Sequence, residues 1–585
     1  MSGQEEAGRG NNGEKNLNQP SDQGRLIDLA RGEIEADLLI TNVQLVNTLS
    51  GEISRENVAA ADGLILGFGD YPAKKVFDGR EAFLCPGFID AHLHIESSLL
   101  TPVEFARAAA RRGTSSVVCD PHEIANVLGV QGLEYFIRST RDLPLKIHFM
   151  LPSCVPATHM ETAGAELSAR DLERLLNNYP DRFTGLGEMM NFPGLLYKDP
   201  EVLAKLRTAG ARPIDGHAPG LSGKDLNAYI LAGPQSDHEC ESLEEAREKL
   251  AKGMHIMIRE GTSAHNLKNL LPMVSESNWP GFSLVCDDRH PEDLHKLGHL
   301  DHNLRLAVAQ GLDPVRAVQM VSINPARHFG LKRQGAIAPG YAADMVLVKD
   351  LENFEVRQVF LNGLDLDEAC FESRVPVPGN SMHVALLDDD SLKIPAGTGR
   401  LRAIGLVPGQ IVTREVHVNP RIENGLAEAD PDRDLVKLAV VERHEASGNI
   451  GLGFVQGLGL KKGALASTVA HDAHNLILAG TSDRDMLTAA RAAVDMGGGL
   501  VAALEGRVLA ALPLPVAGLM STSSLEETVV SMHRLHEACK VLGLKDHDVF
   551  MNISFLSLPV IPELKLTDKG LVDVNKFSFV DLWTK

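Results

Sequence analysis

Two histidines one residue apart, His92 and His94, lie within the stretch "CPGFIDAHLHIESS" that runs from Cys85 to Ser98. Side chains at i and i+2 of a strand leave by the same face, so a strand ending here presents two imidazoles side by side. A lone strand-end histidine is more often satisfied by hydrogen bonds, whereas a same-face pair of neutral imidazoles can hold a divalent cation. Four more residues of metal-binding type stand in similar settings: Glu188 in "GLGEMMN", His217 in "DGHAPG", His238 in "SDHEC" and Asp287 in "VCDDRH". Four imidazoles and two carboxylates can supply two ions, with one carboxylate bridging. Two such ions carry about +4, and two carboxylates with a hydroxide about −3; the small positive excess suits lowering the pKa of bound water from 15.7 toward roughly 7. The chemistry implied is metal-assisted hydrolysis at neutral pH.

These residues are far apart in the chain, so the fold must gather them. From Cys85 the sequence alternates strand, loop and helix. In "TPVEFARAAARRG", Thr101 caps a helix, Pro102 takes its first turn, Glu104 closes an S/T-x-x-E box and Gly113 ends it. Ser242 and Glu245 repeat the device before the strand "HIMIRE". The candidate strands are "FLCPGFIDAHLH", "SSVVCDPHE", "KIHFMLPS", "FTGLGEM", "RPIDGHAPG", "SDHEC", "HIMIREGT" and "FSLVCDD". Strands alternating with helices predict a parallel sheet, and eight such units over about 250 residues predict an α/β chain built on a (β/α)8 barrel. The candidate ligands, with Asp120, His122 and Glu260, fall at the C-terminal strand ends, where barrel active sites are built. Loops are polar in any case, which accounts for Ser, Asn and Gly there but less well for repeated metal-capable groups.

The remaining organisation follows from composition shifts. Residues 1–24 are polar and rich in Gly and Asn, a disordered tail without the apolar centre of a signal peptide. Residues 25–84 and 334–390 read as short strands either side of the barrel at 85–333, pairing most simply into one satellite β-domain. Residues 395–585 read as a separate α+β domain, with strands in "KLAVVERHE" and helices in "DRDMLTAARAAVDMG" and "SLEETVVSMHRLHEACKVLG".

A net charge of −21 over 585 residues argues against nucleic acid or an anionic membrane as partner. Seven cysteines scattered singly fit a reducing cytoplasm. The apolar "LVAALEGRVLAALPLPVAGLM" is interrupted by Glu505, Arg507 and two prolines, so it reads as buried rather than as a membrane span. The H-x-E with P-C-x-x-C signature of deaminases that act on nucleic acid is missing. The expected partners are a free small molecule and, as a homo-oligomer, further copies of the chain.

The segments "PGFIDAHLHIESS", "VVCDPHEIANVLG", "GLGEMMNFPGLL", "DGHAPGLSG", "SDHECES", "GAIAPGYAADMVLV" and "VAHDAHNLILAG" resemble the amidohydrolase superfamily. Within it the closest resemblance is to the bacterial adenine deaminase family, over nearly the whole chain after residue 25. H-x-H and "CDD" are superfamily-level features; "CDPHEIANVLG" with "GEMMNFPG" is far more specific. The resemblance implies a barrel, a β-domain built from both flanks, a C-terminal domain particular to the family, and a binuclear metal centre. His92 and His94 would bind one ion together with Asp287, His217 and His238 the other, and Glu188 would bridge. Glutamate stands where many amidohydrolases carry a carboxylated lysine, which disfavours the urease and hydantoinase branches. Manganese or iron is the usual metal of such enzymes, and the donor set also suits zinc.

The reaction implied is hydrolysis of adenine to hypoxanthine and ammonia. Asp287 would serve as base and then acid, with His122 as first candidate for the proton donor to the ring nitrogen and Glu188 or Asp120 as second. "CDPHE" also reads as a Pro-containing turn with capping side chains. "AHDAHN" (470–475) reads either as a lid over the pocket or as a polar loop, and Arg259, Glu260 and His265 in "REGTSAHN" as a substrate clamp. The alternatives are an amide hydrolase (deacetylase or cyclic amidohydrolase) on the same centre, a metal-free scaffold, or a C-terminal interaction module carried on the barrel. A relic scaffold would be expected to lack ligands, and all six are present.

Overall fold

The computed structural model describes residues 20–262, 264–408, 410–545 and 549–584. Eight strands, β1 (Phe88–Leu93), β2 (Thr114–Cys119), β3 (Lys146–Leu151), β4 (Phe183–Met189), β5 (Ile214–Gly216), β6 (Ser236–Asp237), β7 (His255–Arg259) and β8 (Phe282–Val285), follow one another in the order expected. β1 to β5 form one parallel sheet and β6 to β8 another. Two seams join them. The Gln235 amide donates to the Ile214 carbonyl at 2.9 Å between β5 and β6, and the Asp287 amide to the His92 carbonyl at 3.1 Å between β8 and β1. The parallel bridge between Leu93 and Asp287 completes the closure. The chain thus folds as an α/β barrel.

Ile89, Ala91, Val118, Met150, Met257 and Val285 form one buried cluster with Ala326 and Phe329, the apolar filling of the barrel. A regular strand would send Ile89 and His92 to opposite faces. The register of β1 against β2 shifts between Asp90 and Leu93. Such a shift re-aims the side chains beyond it, so the apolar residues and the two histidines serve the same interior at successive levels.

Thr101 does not cap the helix Pro102–Ala110 with its side chain. Glu104 is drawn elsewhere: it accepts from Arg107 at 2.6 Å and from the Leu525 amide at 3.0 Å. Ser242 does cap its helix, accepting from the Glu245 amide at 3.3 Å.

Strands before the barrel (Ala36–Asn47, Glu52–Ala61, Leu64–Phe68, Ala73–Asp78, Phe83–Pro86) and after it (Met345–Val348, Val356–Leu361, Leu364–Asp365) share one eight-stranded sheet. Residues 1–19, most of the expected tail, lie outside the described residues, and residues 20–24 open the helix Pro20–Ala30.

The C-terminal region is built on a nine-stranded sheet. In its strand Leu435–Val441, Leu438 and Val440 join the cluster containing Met532 and Leu535 of the helix Leu525–Val541. Ala439 and Val441 join the cluster containing Met486 and Ala490 of the helix Asp483–Asp495. Alternation along one strand therefore gives each face its own helix. The apolar stretch flagged in the sequence is the hairpin Gly499–Leu504 and Arg507–Pro513. Among the described residues no helix is long and apolar enough to cross a membrane.

This region is tied to the barrel. The Ser521 amide donates to the Leu99 carbonyl at 2.8 Å, Thr567 Oγ1 to the Met160 carbonyl at 2.7 Å, and Asn475 Nδ2 to the Thr162 carbonyl at 2.8 Å.

Candidate active site

Glu188, the penultimate residue of β4, is the centre of the site. Its amide donates to Asp120 Oδ2 at 2.9 Å. A Cβ at the preceding Gly187 would collide with that same carboxylate, so the close approach requires glycine. Glu188 Oε1 faces His94 Nε2 at 2.9 Å, His92 Nε2 at 3.5 Å and His122 Nδ1 at 3.8 Å. Its other oxygen, Oε2, faces His217 Nδ1 at 2.7 Å and His238 Nε2 at 3.5 Å. Asp287 Oδ1 lies 3.3 Å from His94 Nε2 and 3.7 Å from His92 Nε2. All six expected ligands therefore converge, with one carboxylate oxygen turned to each histidine pair.

The atoms at this centre fit cations. His92 Nε2 and Glu188 Oε1 are buried and have no hydrogen-bond partner among the described residues. His92, His94 and Glu188 form one group whose ligand atoms lie close enough to hold an ion, and Glu188, His217 and His238 another. The far nitrogens of His92 and His94 are fixed, as metal ligation by their Nε2 atoms would require. His92 Nδ1 pairs with Asp215 Oδ2 at 2.9 Å, and His94 Nδ1 donates to the Asp120 carbonyl at 2.9 Å, leaving its Nε2 lone pair toward the site. Asp215 is itself held by Ser236 Oγ at 2.5 Å.

The surroundings keep both carboxylates of the centre ionised. Burial would raise the Glu188 carboxyl, but His238 and His217 outweigh it and hold it well below the usual carboxylate range. Burial is likewise outweighed at Asp287, by the bond to His94 and the charge of Arg259. At His122 burial opposes charge, yet Asp120 prevails and raises the imidazole to about 10.

The C-terminal region walls the pocket. His471 and Asp472 line it, with Phe555, Leu558, Val560 and Ile561 beside them, opposite the barrel's histidines and carboxylates. A family model described as "Amidohydrolase family" matches residues 83–364, and one described as "Adenine deaminase C-terminal domain" matches residues 410–578. A relative named adenine deaminase, from Oleidesulfovibrio alaskensis, is 54% identical over 561 residues, 96% of this chain and 98% of that protein. The chain belongs to the adenine deaminase family. Relatives of the same name from Desulfatibacillum aliphaticivorans, 50% identical, and Methanothrix thermoacetophila, 48% identical, cover 96% and 95% of this chain and 99% of their own.

In this adenine deaminase family member the clamp expected at the end of β7 is arranged differently. Arg259 donates from NH1 to Asp287 Oδ2 at 2.8 Å, from NH2 to Glu239 Oε2 at 2.9 Å and from Nε to Asn266 at 2.9 Å, with a further bond to Glu239 Oε1. Its guanidinium is committed to orienting two carboxylates. Glu260 and His265 pair with each other at 2.8 Å, and neither is among the residues lining the pocket.

Several site residues escaped the sequence reading. Asp215 and Glu239 sit beside expected ligands in "DGH" and "DHE", a neighbouring acid being the one available signal. Glu123, in "CDPHE", lies 3.3 Å from Ser97 Oγ and 3.2 Å from His471 Nδ1. Of the two readings of "AHDAHN", the structure supports a pocket wall: its His471 is 4% exposed and its Asp472 3%. Arg443, fully buried, fixes the loop by donating to the carbonyls of His474 and Ala517.

Proposed function

We propose that this chain hydrolyses adenine to hypoxanthine and ammonia. The observation that carries the hydrolytic chemistry is the placement of Glu188, one oxygen toward His92 and His94 and the other toward His217 and His238. Near-full-length similarity to adenine deaminases supports the choice of substrate.

His92 and His94 with Asp287 would hold one divalent ion, His217 and His238 the other, and Glu188 would be shared; manganese or iron is proposed, and zinc fits the same donors. When bound, such ions lower the pKa of water from 15.7 to about 7 and so supply hydroxide at neutral pH. The reaction forms a C6–O bond on the purine and breaks the C6–N bond to the amino group. Asp287, fixed by Arg259 and facing the histidines, takes the proton of the attacking water and returns it to the departing ammonia. Attack at C6 loads electron density onto the adjacent ring nitrogen. His122, whose Nδ1 lies 3.8 Å from Glu188 and Nε2 4.0 Å from Asp472, supplies the proton there. It is recharged by the second proton of the water, so that the water's two protons end on the ring nitrogen and the ammonia. Asp120 is less suited to that role, since its Oδ2 already accepts the Glu188 amide.

Incubation with adenine, followed by absorbance and ammonia release, tests the proposal. Hypoxanthine and ammonia in equal amounts support it. Acetate release from acylated amino sugars with no turnover of adenine supports an amide hydrolase instead.

A further inference from the structure

The residues that move protons in the mechanism above all belong to the barrel, yet the C-terminal region brings two buried polar side chains, His471 and Asp472, into the same pocket. Asp472 Oδ2 is buried and has no hydrogen-bond partner among the described residues. Its Oδ1 comes no closer than 4.0 Å to His122 Nε2 and 4.0 Å to His471 Nδ1, beyond hydrogen-bond reach. A buried carboxylate left without donors is costly, so its donor is expected from a ligand. The surroundings narrow that ligand. His471 is stacked on Phe555, with ring centroids 4.7 Å apart and planes within 13°. Leu558, Val560 and Ile561 continue the apolar surface. An apolar wall beside an acceptor that lacks a donor suits a flat heteroaromatic ring with an N–H on its edge.

We infer that Asp472 is a substrate-recognition residue that accepts the imidazole-ring N–H of the free purine base, a donor that an N9-substituted base such as a nucleoside lacks. This rests on the adenine reading of the site. Binding pockets built around a buried polar group discriminate strongly against ligands that leave it unpaired. The C-terminal region thereby contributes to the choice of base over nucleoside, in addition to closing the pocket.

The test uses full-length, metal-loaded protein. Purine keeps the ring N–H and has no amino group to lose, so its binding and that of 9-methylpurine can be measured calorimetrically without turnover. The wild type should bind purine at least about tenfold more tightly than 9-methylpurine, and Asp472→Ala should abolish the difference. Asp472→Asn should raise the KM for adenine about tenfold or more, with a smaller change in kcat. Equal binding of the two purines by the wild type overturns the inference. So does discrimination that survives in the Ala variant, which would assign it to steric exclusion, or a fall in kcat at unchanged KM. Failure of the wild type to release ammonia from adenine overturns the underlying reading instead.

Discussion

Asp215 Oδ2 sits 2.9 Å from His92 Nδ1 and so directs His92 Nε2 at Glu188. A carboxylate behind a ligating imidazole fixes its tautomer and raises its basicity. Asp215→Asn keeps the shape but removes the charge, and should lower metal affinity or activity by about 10- to 100-fold. Metal titration of the chelated variant checks this; unchanged affinity and turnover would remove Asp215 from the centre.

His122 and the ligands can be told apart by what each variant loses. His122→Asn should lower kcat by about 10²- to 10⁴-fold, the usual range for a general acid or base, while metal content stays at the wild-type level. Elemental analysis of the purified variant decides: depletion of metal would place His122 in the ligand shell.

Arg259 pairs with both Glu239 and Asp287 in a buried setting. Removing one partner from such a network leaves uncompensated charge, at a cost of about 3–5 kcal/mol. Arg259→Met should therefore melt at a lower temperature than the wild type and lose turnover as Asp287 is released. Arg259→Lys keeps the charge without the fork and should fall between the two. A Lys variant indistinguishable from wild type would contradict the orienting role.

Lys565 is fully buried, and its ammonium donates to the Ile411 carbonyl at 3.0 Å and the Phe555 carbonyl at 2.9 Å. Burial lowers it from 10.5 to about 7. Between those values the unfolded chain holds a proton that the native chain does not, so stability rises with pH, by up to about 1.4 kcal/mol per unit. Below the folded value both states are charged and the native state bears the full penalty; above 10.5 the penalty is gone. Lys565→Met should remove this rise, so the wild-type melting temperature should climb relative to the variant's from pH 7 to pH 10. Parallel profiles would show that Lys565 does not titrate there.

The convergence of the candidate ligands was legible because each strand carries its own local signal: an apolar run, then a histidine or carboxylate at the end that barrels use. His238 could be placed although β6 spans only Ser236–Asp237, because "SDHEC" keeps the pattern of its neighbours. What escaped depends on contacts between distant segments. Nothing in "AHDAHN" says that residues 471 and 472 meet Glu123 and His122, since that contact follows from how the two large units dock. The same applies to Glu104, which reads as a helix box but instead holds the Leu525 amide of the C-terminal region. Arg259 does line the pocket, but its carboxylate partners Glu239 and Asp287, just past β6 and β8, are not revealed by the local motif.

Restoring the chelated protein with manganese, and recording adenine turnover against metal added per chain, tests the central arrangement most directly. Glu188 lies between two histidine pairs, so activity should rise until about two equivalents are bound, and Glu188→Ala should neither hold the second equivalent nor recover. Full activity at one equivalent, or in the metal-free chain, would contradict the paired centre on which the account is built.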